Sequence, residues 1–378
     1  MRRGDRWLIA LPLALTAIGL VMVYSSSAIL GITRFQDADH YMMRQLQRIG
    51  LGLLGLFACS RLPLRWLERW APWLLASAVS MLALVVVVGR VSKGAMRWLS
   101  LGFFTLQPTD LARLAAVVFL AWMLRRRPPA EHGFWRGTMI PLGVVGTLSG
   151  LILLQPNLSS AMLLGMTGFA MLFLGGARLR HLAVPVAAGA AFMTVALLTH
   201  PYQMQRVETF VRFLVSGELD ARGTGWQLDQ SLIAIGSGGW FGRGIGGGLQ
   251  KYLFLPEAHT DFIFSILAEE TGMFGATILL VLIGLLVWRG MRVASRASDP
   301  FTYLLAGGLT IQIALYALVN LSVATGIAPT TGLPLPFVSY GGSALVANLM
   351  AAGLLYRISA VNGTDEALTR QRWSQEAA

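Results

Sequence analysis

The stretch WLIALPLALTAIGLVMVYSSSAIL, Trp7 to Leu30, carries no charged residue from end to end. Wound as an α-helix rising about 1.5 Å per residue, it exceeds the ~30 Å hydrocarbon core of a bilayer. Its apolar pattern is continuous rather than alternating, which excludes the strand of a membrane β-barrel. It is too long for the core of a signal peptide and lacks a small-x-small cleavage site, so it reads as an anchor. Similar runs recur at about 45–60, 70–89, 108–124, 138–154, 157–175, 179–199, 262–288, 301–323 and 338–356. The expected fold is an all-α polytopic membrane protein of ten transmembrane helices. A large extracytoplasmic loop, at about 200–260, joins the seventh to the eighth.

Composition agrees with that reading. Of the 378 residues 55% are hydrophobic and only 13% charged, where a soluble domain carries about 25% charged. With a mean hydropathy of +0.62, a water-soluble fold is excluded. The net charge of +12 does not point to nucleic acid, because no basic patch is interleaved with aromatics. The arginines instead fill alternate breaks: Arg2, Arg3 and Arg6; Arg61, Arg65 and Arg69; Arg125, Arg126, Arg127 and Arg136; Arg178 and Arg180; Arg289, Arg292 and Arg296; Arg357, Arg370 and Arg372. The breaks around 155–157 and 325–337 hold none. The positive-inside bias then places both termini in the cytoplasm. Residues 1–361 read as one membrane domain and 362–378 as a polar cytoplasmic tail without fixed structure. The single cysteine, Cys59, allows no intrachain disulfide.

Charges at membrane depth are costly, so each is a candidate for function. Asp110 and Arg113 lie three apart on one helical face and can neutralise each other. Asp261, Glu269 and Glu270 open the eighth span, and Asp261 has only His259 beside it as a titratable neighbour. Lys93, Arg97, Arg243 and Lys251 fall on the same outer side and suit a phosphate or diphosphate group. In the large loop, Val207, Phe210, Val211, Phe213 and Leu214 interleave with Arg206, Glu208 and Arg212. That pattern fits either a helix in the membrane interface or one packed on the bundle. The five histidines show no metal-ligand spacing, and Gly242 to Gly246 reads as a flexible turn.

Four blocks together resemble one known family. They are KGAMRWLSLG with QPTDLARL (Lys93 to Leu114), GTGWQ to QSLIAIGSGG (Gly223 to Gly239), LPEAHTDFIF followed by Ala268-Glu269-Glu270 and Gly272 (from Leu255), and GLPLPFVSYGGSALV (Gly332 to Val346). In order and spacing they are similar to the SEDS family (shape, elongation, division and sporulation) of bacterial cell-wall polymerases. The resemblance implies a peptidoglycan glycosyltransferase of the inner (plasma) membrane. It would join lipid II, a disaccharide-pentapeptide on undecaprenyl diphosphate, into β-1,4-linked glycan with inversion. It implies Asp261 as the essential carboxylate. Asp110 and Arg113 take the places of the fourth-span acid and base, and Trp98 that of the loop tryptophan. Glu257, His259 and Ser339 fall in the same motifs as further substrate contacts. The family often has glutamate at Asp110, lysine at Arg113 and aspartate at Asn157, so reach changes at the first two and no carboxylate stands at the third.

The implied chemistry is a single displacement. Asp261 takes the proton of the acceptor's 4-hydroxyl, while Lys93, Arg97 and Arg113, or a divalent cation such as Mg or Mn, stabilise the departing diphosphate. No cofactor is fixed by the residues. The resemblance also implies a class B penicillin-binding transpeptidase as partner, with other divisome or elongasome proteins. QKYLFLPEAHTDFIF and TGLPLPFVSYGG lie slightly nearer the division type (FtsW) than the elongation type (RodA). On physics alone a flippase for the same lipid, or a non-catalytic scaffold, also fits a ten-span bundle.

Overall fold

The computed structural model describes residues 4–92, 95–100, 105–199, 201–217 and 224–376. Lys93 lies outside the described residues. The chain forms α1 (Trp7–Phe35), α2 (His40–Arg61) and α3 (Leu64–Val88), then three short strands, β1 (Arg90–Ser92), β2 (Ala95–Ser100) and β3 (Thr105–Leu106). There follow α4 (Pro108–Arg126), α5 (Pro129–Gly133), α6 (Ile140–Leu153), α7 (Leu158–Leu174), α8 (Leu179–Thr199), α9 (Pro201–Ser216) and α10 (Thr224–Ser237). The last three are α11 (Ile263–Ser295), α12 (Pro300–Ala324) and α13 (Gly342–Glu376). Six of the described helical segments are long and apolar enough to cross a bilayer.

Helix ends fall where backbone chemistry puts them. Asp299 caps α12 by accepting from the Thr302 N–H at 3.2 Å, with Pro300 at the first turn. Asn157 caps α7 in the same way through Ser160 N–H at 3.3 Å. Pro141 has no N–H for the carbonyl four residues back, and a π-helical turn, Phe134–Met139, leads from α5 into α6 just before it. α4 and α12 are buried on most faces and form the centre of the bundle, with α3 and α7 packed beside them. α2 lies along α13 at backbone distance: a Cβ on Gly353 would stand 2.4 Å from the Leu56 carbonyl oxygen. Small residues allow that approach where apolar side chains gain nothing by leaving lipid.

Three features correct the sequence reading. First, the connection from α3 to α4 is an antiparallel sheet, ordered β1-β2-β3 with Arg90 opposite Trp98 and Leu99 opposite Leu106. Strands of two to six residues are too short for alternation to show against apolar flanks. Second, the eighth apolar run is a broken helix. Gly272, at φ 67° and ψ −167°, interrupts α11. Third, the tail expected to be unstructured continues α13 as helix to Glu376. Once the apolar part has nucleated, Glu366, Ala367, Leu368, Arg370 and Gln371 are good propagators.

The loop around Gly242 repairs the break in α11. Glu269 and Glu270 carbonyls accept from the N–H groups of Arg243 and Gly244, each at 3.0 Å. Met273 and Phe274 N–H groups donate to Gly239 and Trp240 carbonyls at 2.8 and 3.1 Å. These four backbone groups at the kink thus find partners, as irregular backbone at membrane depth requires. The turn at Gly242 to Gly246 is therefore a fixed piece of the bundle rather than a flexible one.

Candidate active site

At the end of the bundle away from Asp5, Arg289 and Ser359, loops and helix ends enclose a cavity of about 490 Å³. Its wall includes three carboxylates, Asp110, Glu257 and Asp261, and three guanidinium groups, Arg48, Arg97 and Arg206. Asp261 stands in the last turn before α11. The N–H groups of Thr260, Asp261 and Phe262 all converge on the Glu257 carbonyl, at 3.1, 3.1 and 3.3 Å. Glu257 itself has a left-handed backbone (φ 56°), and its carboxylate accepts from the Thr260 hydroxyl at 2.9 Å. The turn is over-determined, and it fixes where the Asp261 carboxylate projects.

A second loop, between α12 and α13, is fastened to this turn. Asn320, buried in α12, donates to both the Asp261 carbonyl (2.8 Å) and the Leu333 carbonyl (2.7 Å). Tyr340 N–H donates to the His259 carbonyl at 2.9 Å. Gly332, at φ 76°, lies so near that a Cβ there would stand 3.5 Å from Asp261 Oδ2. A third wall comes from the turn between α6 and α7, where Ser159 Oγ donates to the Thr331 carbonyl at 2.8 Å. Arg97 reaches across from β2 to the carbonyls of Gln155 and Pro156. From α9, Arg206 donates to Thr330 O at 2.8 Å.

Beneath the cavity Asp110 and Arg113 form a buried ion pair, and Asp110 also accepts from Ser343 Oγ at 2.6 Å. Ser343 in turn accepts from Gln107 N–H at 3.0 Å, which ties the start of α13 to the start of α4. The Arg113 guanidinium lies 4.0 Å from the centre of the Tyr316 ring, and Tyr316 lines the cavity. Arg113 does not line it. Its guanidinium stands behind Asp110 and Tyr316.

The structure gathers Arg97, Trp98, Asp110, Glu257 and Asp261 around one space. His259 and Ser339 stand behind its wall. The His259 ring packs 5.0 Å from Tyr41 and 5.4 Å from Tyr340, and Ser339 Oγ accepts from Leu335 N–H at 2.8 Å, closing the proline turn. Glu269, Glu270 and Lys251 gather elsewhere. Glu270 accepts from Lys251 Nζ at 2.8 Å, Ser25 Oγ at 2.6 Å and Gly246 N–H at 3.0 Å. Glu269 accepts from Leu249 and Gln250 N–H at 2.8 and 3.3 Å. These two acids hold the 242–251 loop on α11 and α1. Among the described residues no three histidine, cysteine or carboxylate side chains converge as metal ligands.

Residue-by-residue reading misses Arg48, Arg206, Asn320 and Ser343. Arg48 sits on α2 with its guanidinium 4.2 Å from the Tyr340 ring centre. A charge inside an apolar run was the available signal for it, and a polar amide inside one for Asn320.

The bundle and this cavity define an integral membrane protein with a carboxylate- and arginine-lined chamber at one end. The sequence model of the FtsW, RodA and SpoVE family, described as cell cycle protein, matches residues 5–363, and the chain belongs to that family. It is 42% identical over 364 residues to a probable peptidoglycan glycosyltransferase FtsW of Thiomicrospira cyclica, covering 95% of this chain and 92% of the relative. It is 37% identical over 357 residues to the stage V sporulation protein E of Bacillus subtilis, covering 94% and 96%. Among solved structures, a chain described under the structural coordination of polymerization and crosslinking by a peptidoglycan synthase complex matches with a TM-score of 0.77 at 33% identity, covering 94% and 97%. The rod shape determining protein RodA of Thermus thermophilus matches with a TM-score of 0.70 at 32% identity, covering 94% and 96%.

Proposed function

We propose that this protein is a peptidoglycan glycosyltransferase that polymerises lipid II for cell division or elongation. The observation that carries the reading is the Asp261 carboxylate at the wall of a cavity that three arginines also line, with the Asp261 backbone held by the Glu257 carbonyl and the Asn320 amide. Asp261 accepts the proton of the acceptor sugar's 4-hydroxyl as that oxygen attacks the donor's anomeric carbon. The bond from that carbon to the diphosphate oxygen breaks, and the diphosphate leaves with the electron pair. Arg48, Arg97 and Arg206 supply the positive charge that the leaving group needs most in the transition state. Asp110, Arg113 and Ser343 hold the floor beneath.

The proposed topology is ten spans with both termini cytoplasmic, α2, α4, α7 and α8 completing the set. The cavity then faces the outer leaflet of the cytoplasmic membrane, where lipid II headgroups stand. Residues 1–361 form the membrane domain and 362–378 a cytoplasmic extension. A class B penicillin-binding transpeptidase is the proposed partner, alongside further divisome or elongasome proteins; the relation to a chain of a peptidoglycan synthase complex supports it. Purified protein given lipid II in detergent should yield glycan chains. Redistribution of lipid II across vesicles with no polymer formed would overturn the enzymatic reading in favour of a flippase.

A further inference from the structure

A second cavity, of about 300 Å³, lies at the opposite end of the bundle, between the start of α1, the end of α11 and the middle of α13. Arg289, Arg292 and Arg296 line it together with one carboxylate, Asp5. Their spacing puts Arg289 and Arg292 on one face of α11, and Arg296 follows at its C-cap. Asp5 is fixed through its N–H to Ser359 Oγ at 2.9 Å, and its Oδ2 stands 3.3 Å from Arg289. Asn362 closes the base by donating to the Val293 carbonyl at 3.1 Å.

The charge here is not self-cancelling. On the same end of the bundle Arg125 meets two carboxylates, Glu68 at 2.6 Å and Asp299 at 3.2 Å. Among the described residues Arg292 and Arg296 meet none. The cavity also sits at a membrane boundary. The Arg289 guanidinium lies 4.8 Å from the Trp288 ring centre and 5.9 Å from that of Trp7. Both tryptophans are half exposed, as side chains of the headgroup belt are. From Trp288 an exposed apolar stripe runs up α11 through Leu285, Val281 and Ile278.

We propose that this cavity binds the phosphodiester headgroup of an anionic phospholipid from the adjoining leaflet. Arg292 and Arg296 take the phosphate oxygens, and an acyl chain lies along the Leu285–Val281–Ile278 stripe. Basic pockets between membrane helices on this side suit such headgroups, and guanidinium forks match phosphate geometry. The ordinary topological role of arginine explains the charge but not a cavity with one fixed carboxylate and two arginines left over.

The test uses the full chain in nanodiscs of phosphatidylcholine with phosphatidylglycerol, followed by native mass spectrometry of retained lipid. Wild-type protein should retain phosphatidylglycerol over phosphatidylcholine; no preference overturns the proposal. Arg292→Gln with Arg296→Gln should cut that preference about tenfold, while Arg65→Gln with Arg69→Gln leaves it intact. Equal loss from both pairs would mean general surface charge and overturns the site. Arg292→Lys with Arg296→Lys should restore part of the preference, and it covers the case where the glutamine pair fails to fold. Displacement of the lipid by millimolar inorganic phosphate would identify a free anion as the occupant and overturn the lipid assignment.

Discussion

Asp110 and Arg113 show what a charge at membrane depth requires. Each would be prohibitively unfavourable alone, and together they are tolerable because Arg113 Nη2 and Ser343 Oγ donate to Asp110 and the guanidinium stacks on the Tyr316 ring. Arg113 Nε and Nη1 stay buried without a hydrogen-bond partner among the described residues. Asp110→Ala should therefore destabilise by about 3–5 kcal/mol by leaving Arg113 uncompensated. The double replacement Asp110→Leu with Arg113→Met should recover most of that loss without recovering glycan synthesis. Thermal unfolding in detergent beside a polymerisation assay checks both, and full activity in the double variant would make the pair purely architectural. Arg48→Gln should lower turnover more than it weakens apparent lipid II affinity, because a cation facing the leaving diphosphate acts on the transition state. A rate restored by saturating lipid II would remove Arg48 from that role. At this scale the charged motif residues Asp110 and Asp261, picked out in the sequence, line one cavity, whereas Arg113 stands behind it. The sequence was opaque where a neighbour in space decides. His259 lies in the block of Asp261 and Ser339 in the Gly332 to Val346 block, yet both stand behind the wall, His259 packed on Tyr41 and Tyr340 and Ser339 closing the proline turn.

α11 is the element whose reading changed most. Its apolar run is uninterrupted in sequence from Ile278 to Trp288, and the acids before it resemble site residues by depth alone. What periodicity cannot report is that Gly272 breaks the helix and that the preceding loop returns to satisfy the break. Gly272→Ala should be severely destabilising. The position demands a backbone region essentially reserved for glycine, and an added Cβ would stand 2.4 Å from Gly242 N. Glu270→Ala should leave Lys251 buried without its carboxylate and release the 242–251 loop. Limited proteolysis should then cut between Arg243 and Lys251 at protease levels that spare the wild type. Unchanged protection would show that the backbone bonds alone hold the loop. The other long helices coincide with continuous apolar runs of membrane length, which have few alternatives, although α13 runs well past its expected end to Glu376. α9 was foreseen as amphipathic, but not that its Arg206 reaches Thr330 at the cavity wall.

At the scale of the whole molecule, arginine asymmetry and the position of the cavity make linked claims. The lone cysteine, Cys59, is buried, so introduced cysteines can be read against a low background. Ile327→Cys, exposed beside the cavity loops, should react with a membrane-impermeant maleimide in intact cells. Ser298→Cys, in the connection from α11 to α12, should react only after permeabilisation. Labelling in the reverse order would invert the topology and place the cavity on the wrong side for lipid II headgroups. The most direct test of the central claim is polymerisation of purified lipid II by Asp261→Asn, at matched expression and matched thermal stability. The amide keeps the size of the carboxylate and loses its basicity, so glycan formation should fall about 10²–10⁴-fold, with lipid II binding retained. Polymerisation at the wild-type rate would contradict the assignment of Asp261 as the base.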